Sequence, residues 1–273
     1  LILSKKYNVD VYEKENKILC GASSANQLRF HFGYHYPRSQ KTILEINKSK
    51  DLFTSFYGKK IFSKTFNYYL IAIKSKVNFR KYKNFLIKNN LFYKNKDLFI
   101  KNKLIEKSII TNEKILNIFN FKKKVLNKIK TSKLNLKLKT EFSRDKLKDY
   151  DKIIVATYSN NNFILKKLGI KKLSDHKFEL VEKIIIKLPK PYSKKSYVVV
   201  DGNFVCVDPY LGTKYHLLSD VKLSKLETRI GKFPTFRNKN KKYLNKGIIK
   251  DIKISKFKSF IRRSSNYLPF LKD

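Results

Sequence analysis

The fold of this chain is decided near its start by VDVYEK at residues 9–14, followed by GASSANQ at 21–27 and HFGYHYPRS at 31–39. The first stretch predicts a short buried strand that ends in the acid Glu13. The second stretch is a turn of small residues, which lets backbone approach a ligand closely. The third stretch crowds two histidines, two tyrosines and an arginine into eight positions. This combination predicts an α/β fold with a ligand site near the chain start.

Glu13 occupies the place at which a dinucleotide-binding βαβ unit carries an acid. There the carboxylate accepts hydrogen bonds from the hydroxyls of an adenosine ribose. The glycine fingerprint of such a unit lies about 20 residues before the acid, which would fall before Leu1. The chain also contains no Met. We therefore expect a fragment that lacks the fingerprint and part of the C-terminal segment, the alternative being a processed or atypical start.

Composition limits the class of protein. The chain has 273 residues, 42% of them hydrophobic, which is enough for one large domain or two joined ones. No apolar run is as long as a membrane span, and no signal peptide is visible. Cys20 and Cys206 have neither metal-ligand nor redox spacing. They predict two reduced thiols in a cytoplasmic protein.

The formal net charge of +42 raises the question of a nucleic-acid partner. The basic residues are spread along the whole chain, and Lys dominates over Arg. Arg is the residue that base readout and phosphate clamps favour. The charge therefore predicts a solvated lysine surface, no specific nucleic-acid partner and no transmembrane segment. The oligomeric state is left open.

Hydrophobic periodicity predicts four helices and a set of strands. The predicted helices are 39–56, 79–87, 112–129 with Thr111 as its cap, and 257–271 with a stop near Pro269. The predicted strands are 66–73, 134–138, 151–157, 178–188, 197–201, 204–207 and 215–218. The strand at 151–157 reads as a parallel core strand whose carboxyl end reaches a ligand-binding loop. The strands from 178 onward, joined by turns at 201–203 and 208–212, predict an antiparallel sheet.

Together these residues resemble FAD-dependent oxidoreductases of the D-amino-acid oxidase type. The resemblance is carried by VYEK at 11–14, GAS at 21–23 with Asn26, HFGYHYP at 31–37, residues 151–157 and residues 201–210. It implies a discontinuous Rossmann-like FAD-binding domain with an inserted α+β substrate domain built on an antiparallel sheet. The FAD-binding domain is expected at 1–58, 105–173 and 255–273. The substrate domain is expected at 59–104 and 174–254.

The resemblance also implies which residues contact FAD. The expected contacts are Glu13 at the adenosine ribose, Lys14 beside the adenine, Ser23, Ser24 and Asn26 along the pyrophosphate and ribityl chain, His31 near the flavin ring, and Ala156 and Thr157 from a second loop. At that second loop the chain departs from the pattern, because Tyr158 follows the threonine where many relatives carry a glycine.

The implied reaction is hydride transfer to flavin from a small amine, amino-acid or sugar-related substrate, so that the cofactor carries the redox chemistry. The candidate catalytic residues are His35, Arg38, Tyr210 and Tyr215. Arg38 is suited to hold a carboxylate or phosphate. His31 and His35 stand four residues apart, a spacing that suits a metal site on a helix. Gly33 between them and Pro37 after them disfavour that helix, and no acid or cysteine is nearby in the sequence, so we predict no metal.

Two other classes of function stay open. The chain could be a non-catalytic flavin- or nucleotide-binding protein that retains the fold. It could also be a basic nucleic-acid-binding protein. A flavin spectrum separates the oxidoreductase from the nucleic-acid-binding protein. Bleaching of the flavin spectrum by substrate separates the oxidoreductase from the non-catalytic binder.

Overall fold

The structure of the chain is a computed structural model, which describes residues 1–63, 65–97, 102–202, 204–244, 247–250 and 253–272. The chain forms two compact units, and each is assembled from three stretches. Unit 1 comprises Leu1–Ser23, Asn127–Glu182 and Lys225–Ile252. Unit 2 comprises Ser24–Leu126, Lys183–Ser224 and Lys253–Asp273.

The described residues form fourteen strands and six α-helices. The strands are β1 Val9–Glu13, β2 Arg29–Phe30, β3 Phe62–Ser63, β4 Phe66–Ala72, β5 Tyr93–Asn95, β6 Ile105–Thr111, β7 Lys114–Leu116, β8 Leu134–Leu138, β9 His176–Val181, β10 Ile184–Ile186, β11 Lys195–Val200, β12 Val205–Pro209, β13 His216–Asp220 and β14 Lys225–Gly231. The helices are α1 Gln40–Tyr57, α2 Phe79–Lys88, α3 Ile118–Lys130, α4 Asn161–Lys167, α5 Asn238–Lys241 and α6 Phe257–Ser264. In the part of the chain that the structure describes, no helix combines the length and apolar character needed to cross a bilayer.

Unit 2 is built on a seven-stranded sheet in the order β10-β13-β12-β11-β4-β6-β5. Its neighbours are antiparallel except β4 and β11, which run parallel. On one face Phe260 of α6 packs in a buried cluster with Leu70 and Val199. On the other face Tyr82 of α2 packs in a second cluster with Ile71. A sheet covered on both faces needs apolar residues at successive positions, which the central strands supply.

Unit 1 contains two pairs of strands. β1 and β8 are parallel, with Glu13 opposite Leu138, and β9 and β14 are antiparallel. Large apolar side chains are exposed in this unit, among them Ile154 at 71% and Ile230 at 78%. The three buried apolar clusters found among the described residues all lie in unit 2. Apolar burial therefore stabilises unit 2 more than unit 1.

Several predicted elements are confirmed together with their ends. The helix predicted at 39–56 is α1, and the Ser39 side chain accepts a hydrogen bond from the Thr42 backbone N–H at its start. Gly58 follows its last residue with a φ of 81°, a conformation that favours glycine. The helix at 79–87 is α2, and the strands at 66–73 and 134–138 are β4 and β8.

The antiparallel sheet predicted from residue 178 onward is confirmed for β10 to β13. Residues 176–181 depart from it, because β9 pairs with β14 in unit 1. The turn at Asp201 and Gly202 joins β11 to β12, while the third residue of that predicted turn, Asn203, lies outside the described residues. The helix predicted at 257–271 ends earlier, at Ser264.

The helix predicted at 112–129 begins too early. β6 runs through Thr111 and β7 follows, so α3 starts at Ile118. Asn117 caps it in place of Thr111, since its Oδ1 accepts two backbone N–H groups of the first turn at 3.1 Å. The apolar residues of β7 fit a helical spacing, but pairing with β2 and β3 places them in a sheet. Tertiary pairing overrides local preference here.

The core strand predicted at 151–157 is wrong. Residues 152–157 form neither strand nor helix, and Ile153 and Ile154 are 37% and 71% exposed. Among the described residues no strand is hydrogen-bonded beside them. β-branched residues favour a strand where a neighbouring strand pairs and packs against them. Without that neighbour the local pattern does not decide the structure.

The mixed α/β class is confirmed. The two units divide the chain at other residues than the predicted domain boundaries. Residues 24–58 belong with 59–104 in unit 2, because β2 and β3 both pair with β7 and His35 contacts Tyr69 of the large sheet. The Rossmann-like arrangement, the inserted domain and the roles given to the five segments stay predictions.

Candidate functional site

A network of buried charges lies in unit 2. The side chain of Arg29 is 2% exposed, and those of Glu113 and Asp208 are fully buried. Arg29 Nη2 lies 2.5 Å from Glu113 Oε2, and Arg29 Nη1 pairs with Asp208 Oδ1. The Ser196 hydroxyl donates to the same Asp208 oxygen at 2.6 Å. Charges are tolerated in an interior when they are paired and hydrogen-bonded, as these are.

The two sheets of unit 2 bring these residues together. Asn67 of β4 lies opposite Ser196 of β11, and Asp208 lies on the next strand, β12. Arg29 lies on β2 of the smaller sheet, in which β7 pairs with both β2 and β3, and Glu113 directly precedes β7. The Asn67 amide donates to the backbone carbonyl of Glu113 at 2.8 Å. That contact ties the smaller sheet to the larger one beside the charges.

Tyr69 and two histidines extend the network towards solvent. The Tyr69 hydroxyl donates to Glu113 Oε2 and lies 2.7 Å from His35 Nδ1. His31 Nδ1 lies 3.3 Å from Glu113 Oε1, which also accepts the backbone N–H of Phe32 at 3.1 Å. The side chains of His31 and His35 are 31% and 13% exposed. These two rings therefore link the buried carboxylate to the surface.

Gly33 shapes the loop that carries both histidines. Its φ is +118°, and a Cβ at this position would lie 2.6 Å from Cδ1 of Ile43. A side chain here would strain the loop. Tyr34, in the same loop, is buried, and its hydroxyl donates to the Phe92 carbonyl oxygen at 2.7 Å, which anchors the loop. The result is a pair of imidazole rings whose centroids are 4.7 Å apart.

Burial sets the protonation states of the site. Burial alone would raise the pKa of Glu113, but the charge of Arg29 and the hydrogen bond from His31 hold it well below its usual range. Burial, aided by His31, holds the pKa of His35 well below its usual range. Burial raises the pKa of Cys206 to about 12, and its Sγ lies 3.7 Å from His35 Nε2. At neutral pH the site therefore holds a carboxylate, a neutral imidazole and a protonated thiol.

His31, His35 and Glu113 form a group in the described residues whose ligand atoms lie within 4.8 Å of one another. The carboxylate is already engaged, because Arg29 and Tyr69 donate to one oxygen and Phe32 to the other. A divalent cation here would lie against the buried guanidinium, at a large electrostatic cost. The geometry favours a hydrogen-bond network over a metal site, and the absence of a metal stays a prediction.

Among the predicted catalytic residues, His35 belongs to this network. Arg38 is 53% exposed, and its Nε lies 2.6 Å from Oδ2 of the buried Asp201. Tyr210 and Tyr215 close the turn between β12 and β13, where the Tyr210 N–H donates to the Tyr215 carbonyl at 2.9 Å. The structure thus places Arg38 on an acid outside the network and brings the two tyrosines to each other. The catalytic roles of all four residues stay predictions.

The predicted FAD contacts are divided between the units. In unit 1, Glu13 is the last residue of β1, and its Oε1 accepts the Glu15 N–H at 2.9 Å. The Thr157 hydroxyl, also in unit 1, donates to Asn161 Oδ1 at 3.0 Å. In unit 2, the side chain of Asn26 accepts the Leu28 N–H at 2.6 Å. His31 lies in the buried-charge network of unit 2. The other positions are Lys14, Ser23 and Ala156, which are exposed in unit 1, and Ser24, which is partly buried in unit 2.

Sequence reasoning missed Arg29, Tyr69, Glu113 and Asp208. One signal was present, because Asp208 directly follows the apolar strand predicted at 204–207, and a buried acid requires a partner. The partner itself is not visible locally, since Arg29 and Asp208 are 179 residues apart in the chain. The same holds for Glu113, which lies 82 residues after His31 and supplies the acid that the local sequence lacks.

The fold is similar to those of solved oxidases and a dehydrogenase, so the resemblance inferred from the sequence is confirmed at the level of the fold. Glycine oxidase from Bacillus cereus is 12% identical, with a TM-score of 0.63 over 100% of this chain and 76% of that one. The dithionite-reduced L-alpha-glycerophosphate oxidase of Mycoplasma pneumoniae with FAD bound is 15% identical, with a TM-score of 0.60 over 84% and 67%. L-proline dehydrogenase from P. horikoshii is 12% identical, with a TM-score of 0.54 over 88% and 70%. No protein-family model and no curated protein matches the sequence.

Proposed function

We propose that this chain is an FAD-dependent oxidoreductase that takes a hydride from a small amine, amino-acid or sugar-related substrate. The observation that carries the proposal is the fold shared with an oxidase that has FAD bound, a glycine oxidase and a proline dehydrogenase. Because one fold can host several functions, the residues of the site must fit the chemistry as well.

The end of β1 fits the adenosine part of FAD. Glu13 ends a strand that has a parallel neighbour, and the Glu15 N–H orients its carboxylate. A carboxylate at this position accepts the hydroxyls of a ribose. Gly21 has no atom within 4 Å of the place a Cβ would take, which leaves room for a phosphate to approach the backbone. The residues proposed to hold FAD are Glu13, Lys14, Ser23, Ser24, Asn26, His31, Ala156 and Thr157.

His35 fits the proton transfer that accompanies the oxidation. A substrate amine or alcohol loses a hydride from carbon and a proton from nitrogen or oxygen. FAD, when bound, accepts the hydride. His35 is neutral at physiological pH, partly exposed and stacked on Phe204 at 5.5 Å, so it can take the proton without a change of position. We assign His35 as the proton acceptor.

Arg38, Tyr210 and Tyr215 are proposed to contact the substrate. Arg38 uses its Nε and Nη2 groups on Asp201. A guanidinium has five N–H donors, so donors remain for a substrate carboxylate or phosphate. Tyr215 is 40% exposed and presents a hydroxyl from the turn after β12.

The visible absorption spectrum of the full-length protein tests cofactor binding, with Glu13→Ala as the variant and Glu15→Ala as the matched control. Both changes remove one carboxylate from the same turn. We expect flavin bands in the parent and in Glu15→Ala, and about tenfold weaker FAD affinity in Glu13→Ala, because a charged hydrogen-bond acceptor is lost. A folded, colourless parent that cannot be reconstituted with FAD would contradict the proposal.

Anaerobic addition of substrates separates an enzyme from a non-catalytic flavin binder. We expect one of the amines, amino acids or sugar-linked compounds to bleach the flavin bands of the parent. His35→Asn should bleach at least about tenfold more slowly, because the proton acceptor is lost. A flavoprotein that none of these classes reduces would favour the non-catalytic alternative.

A further inference from the structure

The direction of the hydrogen bonds around Tyr69 can be read from its partners. A phenol has one proton to donate. Glu113 is a carboxylate and accepts, so the Tyr69 proton points to Glu113 Oε2. Arg29 Nη2 donates to the same phenol oxygen at 3.2 Å. The remaining contact, His35 Nδ1 at 2.7 Å, must therefore donate to Tyr69, and His35 carries its proton on Nδ1.

The other ring nitrogen of His35 is consequently an acceptor. Its neighbour Cys206 lies 3.7 Å from Nε2 and is protonated, because burial raises the pKa of the thiol to about 12. A protonated thiol is a weak donor, which suits an unprotonated Nε2. A substrate N–H or O–H group is a stronger donor and can replace it. The observed contacts on both sides of the ring thus agree on one tautomer.

His31 reaches the same carboxylate directly. Its Nδ1 lies 3.3 Å from Glu113 Oε1, and a carboxylate can only accept in that contact. Nδ1 of His31 therefore carries a proton as well. Each carboxylate oxygen of Glu113 is therefore linked to one histidine. His31 contacts Oε1 directly, and His35 is linked to Oε2 through the Tyr69 hydroxyl.

We propose that Glu113 and Tyr69 are positioning residues that fix His35 in the Nδ1–H tautomer, so that its Nε2 accepts the proton of a substrate amine or hydroxyl. The chemical step rests on the proposed function, whereas the tautomer does not. In this step the substrate C–H bond breaks, and its hydrogen passes with both electrons to FAD as a hydride. The N–H or O–H proton of the substrate passes to His35 Nε2. The product is an imine or a carbonyl compound.

This tautomer limits which substrate groups can bind to His35 Nε2. An unprotonated Nε2 binds a donor, so an amine or a hydroxyl fits there. A carboxylate has no proton to donate and would face the lone pair of Nε2, so it does not fit there. The charged and titratable groups that face His35 are His31, Tyr36, Arg29, Tyr69, Glu113 and Cys206. We therefore expect the reacting carbon to bear the donor, with any acidic group of the substrate held elsewhere.

Nitrogen NMR of protein labelled at its histidines tests the tautomer directly. The chain has four histidines, so single His→Asn variants assign the signals. We expect His35 at pH 7 to show a protonated Nδ1 and an unprotonated Nε2. In Tyr69→Phe we expect His35 to lose this state and populate the Nε2–H tautomer, while His31 keeps its own. A parent in which His35 is protonated on Nε2 would overturn the proposal.

Tyr68→Phe is the matched control. Tyr68 neighbours Tyr69 on β4 but lies in the opposite cluster, stacked on Tyr197. We expect it to leave the His35 signals unchanged. If both variants shifted His35 equally, the effect would be a general loosening of the sheet and the proposal would be wrong. Because Tyr69→Phe leaves the Arg29–Glu113 pair intact, it tests the tautomer without exposing that charge.

The kinetic test uses the same two variants with bound FAD. We expect Tyr69→Phe to lower kcat by at least about tenfold at unchanged FAD content. We also expect the pH dependence of kcat to become flatter in this variant. Tyr68→Phe should stay within about twofold of the parent. An unchanged kcat in a Tyr69→Phe protein with an altered tautomer would overturn the positioning role. If no flavin binds at all, the proposed function fails and the NMR result still decides the tautomer.

Discussion

Two carboxylates in this molecule have the same kinds of partner but different surroundings. In unit 2, Glu113 pairs with Arg29 and accepts the Tyr69 hydroxyl, and its side chain is fully buried. In unit 1, Asp10 pairs with Lys137 at 2.6 Å, accepts a tyrosine hydroxyl from Tyr150, and is 22% exposed. The comparison teaches that burial, rather than the number of partners, decides how strongly the fold depends on a charge.

The packing around the two networks differs in the same direction. Val198 and Ile71, in the apolar cluster beside the unit 2 network, are fully buried. In unit 1, Val11 of β1 is 36% exposed and Ile154 is 71% exposed. Water reaches the Asp10 network and screens it, whereas the Glu113 network is shielded.

Glu113→Ala should have the largest effect, a loss of about 3–5 kcal/mol in the free energy of unfolding of unit 2, because it removes one of the two carboxylates that pair with the buried Arg29 and the acceptor of the Tyr69 hydroxyl. Hydrogen exchange of the β4 and β11 amides measures this loss. Glu45→Ala, which removes an exposed acid from α1, is the control and should change these rates little. A loss below about 1 kcal/mol would place Glu113 in the same class as an exposed pair.

His216 should make unit 2 sensitive to acid. It is 3% exposed, and in the described part of the chain neither ring nitrogen has a hydrogen-bond partner. Burial lowers its pKa to about 4, against an ordinary value of 6.5. The unfolded chain therefore binds the proton first, so stability is complete above pH 6.5 and falls as the pH drops towards 4. The full loss is about 3 kcal/mol.

Urea unfolding at pH 7.5 and at pH 4.5 measures that loss, with His216→Leu as the variant. We expect the parent to lose more stability than the variant on acidification. Part of the loss should persist in the variant, because burial also lowers the pKa of His35. Equal losses in the two proteins would show that His216 does not titrate in this window.

The sequence predicts the elements of unit 2 better than those of unit 1. α1 could be predicted because Ser39, Gly58 and the apolar spacing between them agree. The structure of residues 151–157 could not be predicted in this way. Their β-branched side chains favour a strand, but the local sequence does not show whether a neighbouring strand is available to pair with them. In unit 2 that partner exists for β4, which has strands on both sides. Local patterns therefore succeed where tertiary contacts support them.

The candidate site follows the same rule. His31 and His35 could be singled out because they stand close together in an unusual stretch. Their environment could not, because Glu113 reaches them through β7 and a pairing between distant segments. Predicting that contact requires the sheet order, which no local periodicity contains. The histidines were visible in the sequence, and the carboxylate that orients them was not.

Asp10→Ala should cost less than about 1 kcal/mol, because a pair near the surface gains little over its hydrated state. Hydrogen exchange of the β1 and β8 amides measures the effect. Glu15→Ala, which removes an exposed acid just beyond β1, is the control. A loss as large as that of Glu113→Ala in unit 2 would break the comparison and show that the Asp10 network is shielded from water.

Ile154→Ser should have the smallest effect, within about 0.5 kcal/mol, because a side chain that is 71% exposed has little apolar contact to lose. Hydrogen exchange across 134–138 measures it, and Leu136→Ser in β8 is the comparison, since its side chain is partly buried. A large loss for Ile154→Ser would mean that this residue is buried when the protein is folded. That result would support the core strand expected from the sequence. It would also mean that apolar burial in unit 1 is closer to that in unit 2.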